Sequence, residues 1–229
     1  MSVLVVQHED ACPPARLGSW LEEAGVDLDV RRPYAGDDLP ADLSGHDGLV
    51  VLGGAMGAND DADHAWLAAT RELVRQAARD GVPTLGVCLG HQLVAVAMGG
   101  TVDRNPHGRQ IGVLDVGWTP DAATDPLLGG LASPRRAAQW NEDLVLAPPP
   151  DAVVLAATPA GEIQALRCAP TVWGVQWHPE ATPEILRTWA AHEPGPRTDE
   201  ALAATVAADA ELEQSWRELG SAFAATLTA

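Results

Sequence analysis

Three runs, "VLVVQ" at 3 to 7, "DGLVVLGG" at 47 to 54 and "VPTLGVC" at 82 to 88, are apolar almost without a break and are bounded by turn residues. A strand with one wet face alternates apolar with polar residues. A continuous run suits a strand covered on both faces, as in a parallel sheet between two layers of helix. Helical patterns fall between the runs. Pro14 stands at a first turn ahead of Leu17, Leu21 and Ala24, and Leu67, Thr70, Val74 and Ala77 recur at helical spacing behind "NDDAD", which reads as a cap region. Strand, helix, strand, helix predicts right-handed crossovers and an α/β fold with a doubly wound, mostly parallel sheet flanked by helices.

After residue 100 the rhythm shortens. Strand candidates lie around 111 to 117, 134 to 140, 152 to 157, 163 to 167 and 172 to 177, and they read as antiparallel additions to the same sheet. A helix is expected after Pro183. Beyond "HEPGPRTDE" one long helix is expected, with Leu212, Trp216, Leu219 and Phe223 facing the core. At 229 residues and 46% hydrophobic content the chain can bury one full core. The expectation is a single domain over 1–229 with a C-terminal helical segment from about 198 to 229.

Charge and cysteine usage narrow the partners. The formal charge is -18, from 32 acidic residues against 14 basic ones. All the basic residues are arginine, and they form no patch suited to a phosphate backbone, so neither nucleic acid nor membrane is expected as a partner. Cys12, Cys88 and Cys168 form no CxxC pair, which points to free thiols in a reducing, cytoplasmic setting. The N-terminus lacks a signal-peptide pattern and no apolar stretch is long enough to cross a bilayer. The histidines show no HExxH or similar spacing and "GGAMG" lacks the GxGxxG form, so no metal and no cofactor is expected.

The stretch "GVCLGHQ" at 86 to 92 is where chemistry enters. Gly86, Val87, Cys88, Leu89 and Gly90 have the form of a nucleophile elbow, in which small residues two positions either side let the chain turn sharply and present the central side chain. There a thiol sits at a helix N-terminus whose dipole favours thiolate, and the next N–H points to where an oxyanion forms. Taken alone, the motif divides evenly between a nucleophile and a small apolar residue packed at a strand end. A second stretch, "VWGVQWHPE", ends another buried strand in His178, Pro179 and Glu180. Neighbouring parallel strands end on the same edge of a sheet, so His178 can meet Cys88 as a base while Glu180 orients the imidazole.

With "VVLGGAMG", "GVCLGHQ" and "GVQWHPE" in this order, the chain resembles the class I, triad-type glutamine amidotransferases, and among them the stand-alone domains similar to the glutaminase part of GMP synthase. The resemblance covers nearly the whole chain and implies a flavodoxin-like sheet. It implies a nucleophile at Cys88, a base at His178 and an acid at Glu180. It further implies an oxyanion hole from the N–H groups of Gly54 and Leu89, and substrate contacts from Gly53, Gln92, Trp140 and Asn141. By physics alone Gln92 could equally be a helix-surface residue. Three positions depart from the family pattern: Trp177 stands where relatives usually carry Phe, "QWNEDL" at 139 to 144 replaces a His-Gly-Asp-like segment, and Gln110 stands where glutamate is common.

The implied reaction is hydrolysis of the glutamine side-chain amide through a cysteinyl thioester, giving glutamate and ammonia. No P-loop or ATP-grasp signature is visible, so a separate synthetase subunit is the expected user of that ammonia, and a homodimer is a candidate assembly. Two rival readings stand beside it: a partner-independent γ-glutamyl hydrolase or peptidase, and a non-catalytic regulatory subunit, against which the intact triad argues.

Overall fold

The computed structural model describes residues 1–228. Its strands are β1 Ser2–Val6, β2 Asp27–Arg31, β3 Gly48–Val51, β4 Thr84–Val87, β5 Thr101–Arg104, β6 Gln110–Asp115, β7 Arg136–Asn141, β8 Asp143–Ala147, β9 Val153–Ala157, β10 Ile163–Ala169 and β11 Val172–Val175. The α-helices are α1 Ala15–Glu23, α2 Trp66–Asp80, α3 Leu89–Ala97, α4 Pro183–His192, α5 Pro196–Ala207, α6 Asp209–Trp216 and α7 Glu218–Thr226.

The main sheet runs in the order β2-β1-β3-β4-β11-β10-β9. Its members from β2 to β11 are parallel and the last two are antiparallel. The continuous apolar runs are explained by where alternate residues go. Val3, Val5, Val50 and Leu52 join a core with Leu17, Trp20, Trp216, Leu219 and Phe223 of α1, α6 and α7. Leu4, Val6, Leu49 and Val51 join a second core with Leu67, Val74, Leu93 and Val94 of α2 and α3. Both faces of each central strand are therefore dry, the condition that favours a doubly wound sheet.

Several expectations are corrected. Only β9 and β10 are antiparallel additions to the main sheet; β11 is a central strand parallel to β4. The candidates at 111 to 117 and 134 to 140 form β6 and β7, which among the described residues pair only with each other, in a two-stranded ribbon separate from the main sheet. A second ribbon, β5 with β8, was not expected, nor was edge strand β2. β5 and β8 are short and mix buried with exposed residues without a regular alternation of burial, whereas β2, "DLDVR", carries the period-2 pattern of a strand with one wet face. "NDDAD" does not cap α2, whose N-cap is Ala65 without a side-chain bond; instead Asp61 holds Arg71 from the helix at 2.6 Å. The expected long C-terminal helix is three short ones broken near Ala208 and Arg217, and it keeps its apolar stripe: Leu212, Trp216, Leu219 and Phe223 are all buried. Among the described residues no helix is long and apolar enough to cross a membrane.

Candidate active site

At the carboxyl edge of β4 the chain turns sharply into α3, and Cys88 stands on that turn with φ 52° and ψ -107°. A non-glycine residue at positive φ is uncommon and holds strain that the surroundings must impose. The flanking glycines supply the room. A Cβ on Gly86 would lie 2.4 Å from Gly90 O, and one on Gly90 would lie 1.9 Å from Val51 O. Strand, turn and helix therefore pack closer than any side chain at either position allows. Leu89 is the first residue of α3, so its N–H has no partner within the helix. No backbone hydrogen bond among the described residues uses the Gly54 N–H.

The register of β4 with β11 aligns Gly86 with Gly174 and Val87 with Val175, so the residues following both strands emerge on one edge. Cys88 N donates to Val175 O at 2.9 Å, and His178 N donates to Ala138 O of β7 at 2.9 Å. His178 Nδ1 stands 2.7 Å from Glu180 Oε1, with both side chains almost fully buried. His178 Nε2 is buried without a hydrogen-bond partner, leaving one ring nitrogen free for a reacting group. Burial alone would lower the imidazole pKa; the Glu180 carboxylate and the Cys88 sulfur outweigh it and hold His178 above its ordinary value. A Cβ built on Gly53 would lie 3.3 Å from His178 Cε1 and 3.7 Å from Cys88 Cβ. Gly53 thus stands bare where His178, Cys88 and Cys12, whose Sγ would also lie 3.7 Å from that Cβ, come together.

The site opens into a cavity of about 650 Å³ lined by Cys88, His178, Gly54, Gln92, Trp140 and Asn141 among others. Gln92 faces it, but its amide nitrogen already donates to Asp143 O at 3.0 Å and to Gln176 Oε1 at 3.3 Å. Gln110 lies outside the cavity wall: it is buried in a chain of amides, taking a bond from Gln164 at 3.1 Å and giving one to Glu162 at 2.7 Å. Trp177, the aromatic swap, points away into the core, 4.8 Å from Trp216 and 5.8 Å from Trp118 between ring centroids.

Three contributors were not expected from the sequence. Trp189 of α4 packs against His178 with ring centroids 4.5 Å apart and planes tilted by 54°, and its indole N–H donates to Ala11 O at 2.8 Å. Arg16 of α1 holds the turn after His178 by donating to Ala181 O at 3.0 Å and to Asp209 at 2.9 Å. Cys12 lines the same cavity, its thiol 3.2 Å from Glu9 Oε1, and burial followed by the Glu9 charge pushes its pKa upward. None of these carries a local motif; each is brought to the site by α1, α4 or the loop between β1 and α1.

A strained cysteine on a strand-to-helix turn beside a buried histidine–carboxylate pair defines an α/β protein of the nucleophile-elbow class. Residues 16–188 match the family described as "Glutamine amidotransferase class-I", and the chain belongs to that family of enzymes. It is 36% identical over 187 residues to GMP synthase [glutamine-hydrolyzing] of Aeropyrum pernix, covering 78% of this chain and 34% of that one, so it spans about a third of that relative's length. It is 30% identical over 173 residues to gamma-glutamyl peptidase 5 of Arabidopsis thaliana, covering 73% of this chain and 67% of that one. The crystal structure of a glutamine amido transferase from Methylobacillus flagellatus superposes with a TM-score of 0.84 at 26% identity, covering 99% of this chain and 94% of that one.

Proposed function

We propose that the chain hydrolyses a γ-glutamyl amide, glutamine in the first instance, with Cys88 as nucleophile, His178 as general base and acid, and Glu180 as the group that fixes the imidazole. The observation that carries this is the strained Cys88 turn facing the unpartnered Nε2 of a histidine whose other nitrogen is held by a buried carboxylate. In the proposed sequence Cys88 attacks the amide carbon, His178 hands its proton to the departing amine, and water brought in by His178 cleaves the thioester. The N–H groups of Gly54 and Leu89 meet the charge that develops on the carbonyl oxygen, an effect worth about a hundred- to a thousandfold per donor in comparable enzymes. Gly53, Gln92, Trp140 and Asn141 shape the wall around the substrate.

Where the product is ammonia, a separate synthetase subunit carries the acceptor. The chain acts as one domain over 1–229 in a reducing cytoplasm, in keeping with three buried free cysteines. A second reading, hydrolysis of larger γ-glutamyl conjugates without a partner, is favoured by a cavity of about 650 Å³, roomier than a free amino acid requires, and by the likeness to a gamma-glutamyl peptidase. Ammonia release from glutamine and glutamate release from a γ-glutamyl dipeptide, measured on the parent protein and on Cys88→Ala, test both. Turnover that survives in Cys88→Ala rejects the proposed chemistry.

A further inference from the structure

One end of the cavity carries more negative charge than its own residues neutralise. Asp60, Asp103, Glu142 and Asp143 reach the cavity wall from the turn after Gly57, the end of β5 and the β7–β8 connection. The Asp143 carboxyl is held above its ordinary pKa by burial first and then by Glu142, with Asp103 and Asp60 acting in the same direction. Two arginines oppose them: Arg104, 3.5 Å from Glu142, and Arg109, which also feels the Glu142 charge. Backbone N–H groups tether two of these carboxylates, Gly57 to Asp60 at 2.7 Å and Arg104 to Asp103 at 2.7 Å, without cancelling their charge. Arg109 also pairs with Glu193 and lies over the Trp140 ring at 5.6 Å, which leaves two arginines against five carboxylates of the cavity wall, Asp60, Asp103, Glu142, Asp143 and Glu193.

An independent feature points the same way. Asn141 lines the cavity at only 5% exposure, and its side-chain oxygen is buried with no hydrogen-bond partner. Its amide nitrogen is committed to Gln110 Oε1 at 3.4 Å and Asp143 O at 3.3 Å, which fixes the orientation that leaves the oxygen empty. An unfilled acceptor beside uncompensated carboxylates calls for N–H donors that carry positive charge. The corner is also close to the nucleophile, because Gln92, one helical turn beyond Cys88, donates directly to Asp143 O.

We propose that the preferred substrates are γ-glutamyl amides whose leaving amine bears a second positive charge, conjugates of a diamine or polyamine, with the distal ammonium received by Asp60, Asp103, Glu142, Asp143 and the Asn141 oxygen. This rests on the reading of Cys88 as the acyl-transfer nucleophile. The S–C bond to Cys88 forms as the C–N bond breaks, and the amine departs with the proton from His178. Water then adds to the thioester carbon as the C–S bond breaks, releasing glutamate and restoring the thiol.

The test compares kcat/KM for γ-glutamylputrescine, its uncharged counterpart γ-glutamylbutylamine, and glutamine, on the parent chain and on Asp103→Asn and Glu142→Gln. The cationic amide is expected to exceed the neutral one by about tenfold, the combined effect of a few partly screened charge pairs. That ratio should shrink in about 1 M salt, where the Debye length is about 3 Å, and should fall toward one in both variants. Equal rates on the two amides overturn the proposal. So do variants that slow all three substrates by one factor, since that assigns the corner to the α-ammonium common to them. Failure to cleave γ-glutamylputrescine overturns it as well, and labelling of Cys88 by a glutamine-like diazoketone then shows whether the underlying chemistry survives.

Discussion

Glu180→Gln isolates the carboxylate charge from the shape of the site. The side chain is about 1% exposed and its oxygen lies 2.7 Å from His178 Nδ1, so an amide of the same size can keep the hydrogen bond through its carbonyl oxygen. What it loses is the charge that stabilises the imidazolium. A hydrogen bond to a charged group is worth about 1.5–3 kcal/mol and a neutral one about 0.5–1.5, so the exchange forfeits about 1–2 kcal/mol. At about 1.4 kcal/mol per tenfold, kcat for glutamine hydrolysis should fall by about five- to thirtyfold, and His178→Ala should fall further because it removes the base itself. The assay is ammonia release at saturating glutamine, with circular dichroism showing each variant folded and diazoketone labelling showing Cys88 still reactive in Glu180→Gln. A Glu180→Gln enzyme as fast as the parent would refute this reasoning and reduce Glu180 to a structural residue beside a Cys88–His178 dyad.

Other outcomes follow from the same coordinates. A glutamine-mimicking diazoketone should add at Cys88 and spare Cys168, whose pKa burial raises to about 12, and Cys12, which shares the cavity but is pushed upward by burial and Glu9; peptide mapping reads the site, and even labelling of all three thiols contradicts an activated Cys88. Gly90→Ala places a methyl 1.9 Å from Val51 O, so α3 must move off β3; a loss of about 1–3 kcal/mol in urea unfolding and a larger loss of kcat are expected, and an unchanged midpoint with full activity contradicts the close packing. His8 and His91 are buried with pKa values lowered to about 3, by burial in both cases and by His64 also for His8. The unfolded chain binds those protons below about pH 6.5 while the folded one does not, so each removes up to about 1.4 kcal/mol of stability per pH unit as pH falls from 6.5 toward 3. His178, held above its ordinary value, contributes in the opposite sense: its stabilisation is fully present below pH 6.5 and fades only as pH rises through its folded pKa. A flatter acid slope in His91→Gln than in the parent checks this; an unchanged slope contradicts it.

What was legible in the sequence is what close packing dictates locally. Gly86 and Gly90 flank Cys88 because strand, turn and helix leave no space for a Cβ, so the turn is written in three positions. The run "VWGVQW" is dry on both faces because Trp173, Val175 and Trp177 pack into the core under α1, α6 and α7, while Val172 and Gly174 face α2 and α3 on the other side. The sequence did not show that the strand candidates at 111 to 117 and 134 to 140 leave the main sheet, since a short alternating strand reads alike in a sheet or in a two-stranded ribbon. Nor could it show Trp189 against His178 or Cys12 beside Cys88, because long-range packing of α4 and of the loop between β1 and α1 decides both. Gln110, which departs from the glutamate common in the family pattern, turns inward to Gln164 and Glu162, where partners separated by more than fifty residues make these bonds.

The central claim is a γ-glutamyl thioester on Cys88, and trapping it is the most direct test. Protein mixed with excess glutamine, or with the γ-glutamyl amide turned over fastest, is quenched in acid at short times and digested for mass spectrometry. The account predicts a glutamyl adduct, glutamine less ammonia, on the peptide containing Cys88, appearing at the rate of the first product's release and absent from Cys88→Ala. Steady turnover with the adduct on another residue, or turnover by Cys88→Ala itself, would contradict it.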